Sequence, residues 1–382
     1  MRKAMLALTV FGLLAAGSMT ACTDDSGGTG NSGNSGGGTG NGAKGGASGA
    51  KIGVIMPDET TSQRWTTDDP RYLAEAFKAA DVKVDIQNAK GDKARFAAIA
   101  DQMINEGVKV LIIVSLDSPS GKAVLAKARA AKVKTIDYDR LTLNGGADFY
   151  VSFDNVGVGV QQANGLVDCL KAERAVNPVV AELNGSPTDN NATLFKQGYD
   201  SVLQPKYDQA LYTKGPDQSV PEWDNGQGGK MFEQMWQHQN QIRGVLAAND
   251  GLAGAVIDVL KTKKMNGKVP VTGQDATVEG LQRILSGDQC MTVYKAIKPE
   301  AEAAAKLAVN LYKNQPINEK SIGQTISKIK DPESGAYIQF VSLTSEAINK
   351  NNVQRVIADG FVTKKALCVK QYAQLCADHD IK

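Results

Sequence analysis

The apolar residues of this chain switch repeatedly between a period of two and a period near 3.6, and that alternation leaves few folds open. Ile52–Met56, Val84–Gln87, Val110–Val114 and Val133–Asp137 are short β-branched runs that read as buried strands. Between them Tyr72–Ala80, Phe96–Glu106 and Ala123–Ala131 are rich in Ala, Lys and Glu and read as helices. The series restarts after Phe153. Val179–Leu183, Val245–Ala248, Val269–Thr272 and Met291–Tyr294 are the strands of the second series. Its helices are Val156–Leu170, Thr193–Leu203, Lys230–Gln237, Leu252–Lys263 and Glu279–Leu285. Strand–helix–strand repetition builds parallel sheets covered by helices on both faces. Two series predict an α/β protein with two doubly wound halves, and residues 51–382 are too many for one ordinary core.

The first fifty residues have another character. Arg2 and Lys3 precede a short apolar stretch from Ala4 to Ala16, followed by small and polar residues. That layout predicts a secretory signal over residues 1–21, too short to span a bilayer. Met19-Thr20-Ala21-Cys22 resembles the lipobox of bacterial lipoproteins, in which the cysteine is lipidated; Met19 stands where leucine is usual. Residues 22–50 then read as a tether. Ser26 to Ala50 is almost wholly Gly, Ser, Asn and Thr, a flexible coil with a reach of roughly 25–30 Å.

Net charge is +2 and no long basic run occurs, which argues against a nucleic-acid partner. Besides Cys22 the chain holds Cys169, Cys290, Cys368 and Cys376. Four cysteines in an exported chain permit disulfides in three connectivities, and nearness in sequence favours Cys368 with Cys376. Four buried free thiols is the other reading, and no metal-type spacing such as CxxC is present. Phosphate-loop and nucleophile-elbow motifs are missing as well, and Gly157-Val158-Gly159 lacks the third glycine of a dinucleotide fingerprint. The two histidines, His238 and His379, lie in polar stretches and read as surface residues. We therefore expect no metal, no cofactor and no catalytic centre.

Ligands of open parallel sheets bind beyond the carboxyl ends of the strands. Those ends are well stocked here: Gln63-Arg64-Trp65, Asp139-Arg140, Asp189-Asn190-Asn191, Asn249-Asp250, Gln274-Asp275 and Lys295. Planar Asp, Asn and Arg side chains bridge neighbouring hydroxyls of a small sugar, and Trp65 and Trp223 offer rings for its C–H faces. Asp139, Asp189 and Asp275 balance Arg64, Arg140 and Lys295, which suits an uncharged polyol. Taken alone, each of these residues also fits a salt bridge or a helix cap; Asp189 stands where an N-cap would.

From Lys51 to about Phe361 the chain resembles the periplasmic sugar-binding proteins of the ribose/galactose type, most of all the D-xylose-binding proteins. Arg64-Trp65, Tyr138-Asp139-Arg140, Phe149–Asn155, Gly185–Asn191, Ala248-Asn249-Asp250, Gly273–Ala276 and Met291–Lys295 carry the resemblance in order. It implies a type I periplasmic binding protein fold, two Rossmann-like domains joined by a three-segment hinge that close on the ligand. The implied ligand contacts are Arg64, Asp139, Arg140, Asp189, Asn191, Asn249, Asp275 and Lys295, with Trp65 and Trp223 stacking. Crossings are expected near Phe153, near Ala296 and around Lys328–Tyr337. The first domain would then hold 51–153 and about 296–328, and the second 154–295 and about 337–382.

Permease and ATPase subunits of an ABC importer are the implied partners, with a lipid anchor on the outer face of the cytoplasmic membrane. Glucose, galactose and arabinose are alternative ligands. Presentation of sugar to a membrane sensor, an exported sugar-active enzyme and a ligand-sensing regulator of the lactose-repressor type are alternative functions. That last type opens on a helix-turn-helix, where this chain has a signal and a glycine tether.

Overall fold

The computed structural model describes Gly49 and residues 51–382; Cys22 and the rest of the expected signal and tether lie outside the described residues. The first series gives β1 (Ile52–Met56), α1 (Asp68–Ala79), β2 (Val84–Asn88), α2 (Lys93–Asn105) and β3 (Val110–Ile113). After these come α3 (Ser118–Ala130), β4 (Lys134–Tyr138) and β5 (Phe149–Phe153). The second gives α4 (Asn155–Ala172), β6 (Val179–Asn184), α5 (Asn190–Asp208), β7 (Thr213–Ser219) and α6 (Asn225–His238). It goes on through β8 (Ile242–Ala247), α7 (Asp250–Thr262), α8 (Val278–Ser286) and β9 (Thr292–Lys295). Then follow α9 (Ile297–Tyr312), β10 (Thr325–Lys330), β11 (Tyr337–Leu343), β12 (Ser345–Ile348) and short helices toward the C-terminus.

The first lobe is one seven-stranded sheet in the order β10-β11-β5-β4-β3-β1-β2, parallel throughout except for β10. Along β3, Val110 and Ile112 enter the apolar cluster beneath α1 and α9, while Leu111 and Ile113 enter the one beneath α2 and α3. A strand buried on both faces has no polar alternation, which is why these segments read as unbroken apolar runs. The second lobe centres on β7-β6-β8, all parallel, with β9 paired antiparallel to β12.

Two expectations need correcting. Val269–Thr272 forms no strand and makes a single bridge, Val271 to Val245. The chain there turns at Asp275 and Ala276, whose φ values are +100° and +52°, so its amides bond singly to β8 and β9 rather than as a ladder. The third crossing is also not at Lys328–Tyr337. That stretch is the turn of the β10–β11 hairpin, held by Asp331, which accepts from the backbone amide of Glu333 at 2.9 Å and from the Ser334 hydroxyl at 2.8 Å. β11 pairs in parallel with β5, Gln339 opposite Phe149 and Leu343 opposite Phe153, so residues 329–343 stay in the first lobe. The chain crosses between Leu343 and Ser345. The other two crossings run beside it: the amide of Asp154 donates to the carbonyl of Leu343 at 3.1 Å, and Ser345 lies opposite Lys295.

Cys169 and Cys290 are bonded across 121 residues of sequence, tying α4 to the segment before β9, and Cys368 is bonded to Cys376. No helix among the described residues is long and apolar enough to cross a membrane.

Candidate ligand-binding site

Every site residue expected from the sequence lines one small cavity, of about 40 Å³, between the two lobes. A single water needs roughly 10–15 Å³ of such space, so the cleft is drawn closely around a compact volume. Arg64, Trp65, Asp139 and Arg140 come from the first lobe; Asp189, Asn191, Trp223, Asn249, Asp275 and Lys295 come from the second. Thr61, Ser62 and Phe195, which the sequence did not single out, complete the lining together with Gln274, which it placed at a strand end without a ligand role.

The carboxyl ends of the strands place these side chains. Asp139 follows β4 with φ +60°, and its amide is returned to the sheet by a 2.8 Å bond to the carbonyl of Val151. Asp275 mirrors it in the second lobe, its amide bonding the carbonyl of Val293 at 2.8 Å. Asp189 and Asn249 each open a helix: Asp189 Oδ1 accepts from the amide of Asn191 at 2.9 Å, and Asn249 Oδ1 from that of Leu252 at 2.9 Å. The N-cap role and the cavity role thus coexist. A cap consumes one oxygen and leaves the rest of the side chain to the cleft.

Contacts between the lobes hold the cleft shut. Arg140 Nε lies 3.2 Å from Asp189 Oδ2, which also accepts from Trp223 Nε1 at 3.1 Å. Asn191 Nδ2 donates to the carbonyl of Asp139 at 2.9 Å, and Lys295 Nζ lies 3.7 Å from Asp139 Oδ2 and 3.6 Å from Asp275 Oδ1. Burial works to raise the pKa of Asp139, but Lys295, Arg64 and Arg140 hold it below the ordinary carboxylate range. Asp275 makes no side-chain hydrogen bond among the described residues, and Gln274 Oε1 is buried without a partner. Both oxygens are available to hydroxyl donors in the cavity.

The aromatic walls are fixed from behind. The guanidinium of Arg64 packs over the Trp65 ring at 4.3 Å, and Phe195 meets Trp223 edge-on at 6.5 Å. Trp223 takes a left-handed backbone with φ +57° and lies against Gly185, where a Cβ would stand 2.0 Å from its Cη2. Trp236 packs on Phe232 at 6.2 Å, away from the cleft.

Sequence reasoning counted three acids against three bases. It missed Asp69 and Glu300, both wholly buried behind Arg64. Asp69 sits in the first turn of α1, where an acid is ordinary, and Glu300 lies in an Ala-rich helix, so neither carried a local signal. Among the described residues no cluster of His, Cys, Asp and Glu is arranged to hold a metal ion.

These features agree with what known proteins show. Residues 52–316 match the periplasmic binding protein domain. The D-xylose-binding periplasmic protein of Escherichia coli is 36% identical over 314 residues, covering 81% of this chain and 90% of the relative. A multiple sugar-binding periplasmic receptor of Rhizobium radiobacter is 32% identical, covering 81% and 89%. Among solved structures, a carbohydrate transporter solute-binding protein from Chloroflexus aurantiacus, in complex with D-glucose, superposes with a TM-score of 0.75. It is 27% identical and covers 83% of this chain and 98% of its own. With its two doubly wound lobes and the closed cleft between them, the chain belongs to the periplasmic binding protein family and has the type I fold.

Proposed function

We propose that the protein is the extracytoplasmic, lipid-anchored substrate-binding component of an ABC sugar importer and captures a monosaccharide, D-xylose in first place. The observation that carries this reading is the convergence of ten polar and aromatic side chains from both lobes on one closed cavity. Arg64, Lys295 and the Asn249 amide supply donors, Asp139, Asp189, Asp275 and Gln274 supply acceptors, and Trp65, Trp223 and Phe195 supply apolar walls. That mixture suits a neutral ring whose hydroxyls donate and accept while its faces are apolar.

Capture proceeds by hinge closure. A sugar bound to one lobe adds hydrogen bonds to the other only when the three crossings bend, so the ligand stabilises the closed form by the contacts that form there alone. The closed form is then what a permease receives. Identity to xylose-binding relatives supports the pentose, and the small cavity suits a ring without a sixth carbon. The multiple sugar-binding relative and the glucose-bound structure favour an aldohexose as the second reading. Cys22 supplies the anchor, and no chemical step on the sugar is assigned.

Titration calorimetry with xylose, glucose, galactose and arabinose tests the ligand. Xylose should bind best, with a Kd in the micromolar range or below, about −8 kcal/mol or better. A clear preference for a hexose replaces the pentose and keeps the class; no binding to any of the four removes the proposal. Cys22→Ala should shift the protein from the membrane to the soluble fraction or leave it unprocessed, and unchanged membrane association would refute the anchor.

A further inference from the structure

The guanidinium of Arg64 has five N–H donors. Nε donates to Asp69 Oδ2 at 2.8 Å, and Nη2 to Asp69 Oδ1 at 2.7 Å and to Glu300 Oε2 at 2.6 Å. Nη1 donates to Asp139 Oδ2 at 2.7 Å. Four donors are thereby used, and one Nη1 N–H is left on a residue that lines the cavity. Asp69 and Glu300 do not line it. The hydroxyl of Tyr138 donates to Asp69 Oδ1 at 2.6 Å and braces the far side of the cluster. All five residues belong to the first lobe, α9 included, so the arrangement does not depend on closure.

Three buried carboxyl groups around one guanidinium give a surplus of negative charge. Burial pushes Glu300 up to about 8, while Arg64 opposes that rise and Asp139 and Asp69 add to it; Lys295, from the end of β9, opposes it too. Glu300 Oε1 is buried and has no partner. A neutral carboxyl group tolerates one unpaired oxygen far better than a carboxylate does.

We infer that Asp69 and Glu300 are positioning residues for ligand recognition: they lock Arg64 so that a single N–H meets a single sugar hydroxyl, with Glu300 serving as the neutral acid of the cluster. This rests on the sugar-binding reading above and adds the rule by which one hydroxyl is selected. Two freely rotating donors would accept several hydroxyl placements, whereas a guanidinium fixed on four sides accepts one.

The test is calorimetry on the full chain with the best-binding monosaccharide and its series of monodeoxy analogues. In the wild-type protein each missing hydroxyl weakens binding. Asp69→Asn and Glu300→Ala should weaken the parent sugar about tenfold or more and abolish discrimination against one deoxy position only, the others keeping their wild-type ratios. Glu300→Gln should restore the discrimination that Glu300→Ala loses. Between pH 7 and 9 wild-type affinity should change with pH as Glu300 loses its proton beside Arg64 and Asp139, and Glu300→Gln should stay flat. Uniform weakening across all analogues would mean a structural role alone and overturns the inference; a flat wild-type profile overturns the neutral-acid assignment. Should Asp69→Asn not fold, Glu300→Ala decides the matter. A wild-type protein that binds no monosaccharide overturns the functional reading first, whereas normal binding with unaltered discrimination in both variants removes only this inference.

Discussion

Asp139, Asp275 and Trp223 hold left-handed backbone conformations at the cavity, with φ of +60°, +100° and +57°. Non-glycine residues in such regions carry roughly 1–3 kcal/mol of strain each, and here the strain aims side chains into the cleft. Asp275→Gly should therefore leave the melting temperature at or above that of the wild type. Calorimetry should show affinity reduced about 30- to 150-fold, since about 2–3 kcal/mol goes with the loss of a charged acceptor in a closed site. A large fall in melting temperature would show that the Asp275 side chain serves the fold. Gly185→Ala probes the neighbouring wall. Its Cβ would overlap the Trp223 ring, so the ring must move, at a cost of about 1–3 kcal/mol. Sugar affinity and the ligand-induced change in tryptophan emission should both drop. Trp236→Phe, far from the cleft, should preserve that emission change, whereas Trp65→Phe should remove much of it.

Among the elements, α4 and α5 are in intimate contact because Gly159 and Gly198 face each other: a Cβ on Gly159 would stand 2.0 Å from the carbonyl oxygen of Phe195. Gly157 and Gly159, the two glycines of the incomplete dinucleotide fingerprint, have separate structural roles. Gly157 does begin α4 under the Asp154 cap, but Gly159 sets the distance to the helix that carries Asn191 and Phe195. The two disulfides also differ at this scale. Loop-closure entropy assigns about 5 kcal/mol to a bridge spanning the Cys169–Cys290 separation and about 2.5 kcal/mol to one spanning that of Cys368–Cys376. Urea unfolding of Cys169→Ala/Cys290→Ala should accordingly show a larger loss of stability than that of Cys368→Ala/Cys376→Ala. The reverse order would mean that strain or denatured-state structure outweighs loop length.

For the molecule as a whole, buried carboxyl groups shape the response to pH, Asp69 and Glu182 among them, both raised by burial. Burial raises Asp137 to about 7, Asp250 to about 6 and Glu300 to about 8, each above its unfolded value of 3.8, 3.8 or 4.5. The native state then holds protons that the unfolded chain has released. Their contribution to stability is complete below the unfolded values and is lost as pH rises through the folded ones. Stability should rise as pH falls from 8 toward 5, by up to about 1.4 kcal/mol per unit for each group in its window. Below about 4 the trend should reverse as Asp139, Asp217 and Asp331, all held below the usual range, take up protons. Denaturant titrations at several pH values read this directly, and Asp137→Asn should flatten the slope between pH 5 and 7. An unchanged slope in that variant would place the linked proton elsewhere.

How far the sequence reached follows from the range of the forces involved. Strand and helix type, the two series, and the polar residues at strand ends are written locally, in periodicity and turn chemistry, whereas the choice of the ten ligand contacts, Trp223 included, came from the family resemblance. β7 escaped because Thr213–Ser219 is polar, contains Pro216 and lies half-exposed at a sheet edge. The β10–β11 turn at Asp331 looked like a crossing because a hairpin turn and an interdomain loop use the same residues. The bond from Cys169 to Cys290, the pairing of β11 with β5, the seat of Trp223 on Gly185 and the closing of Asp69 and Glu300 around Arg64 all join positions distant in sequence. The sequence by itself determined which chemistry stands at each strand end. Only the tertiary structure decided which of those groups share a buried charge and which donor is left for the ligand, because both depend on sheet order and burial, which no local pattern encodes.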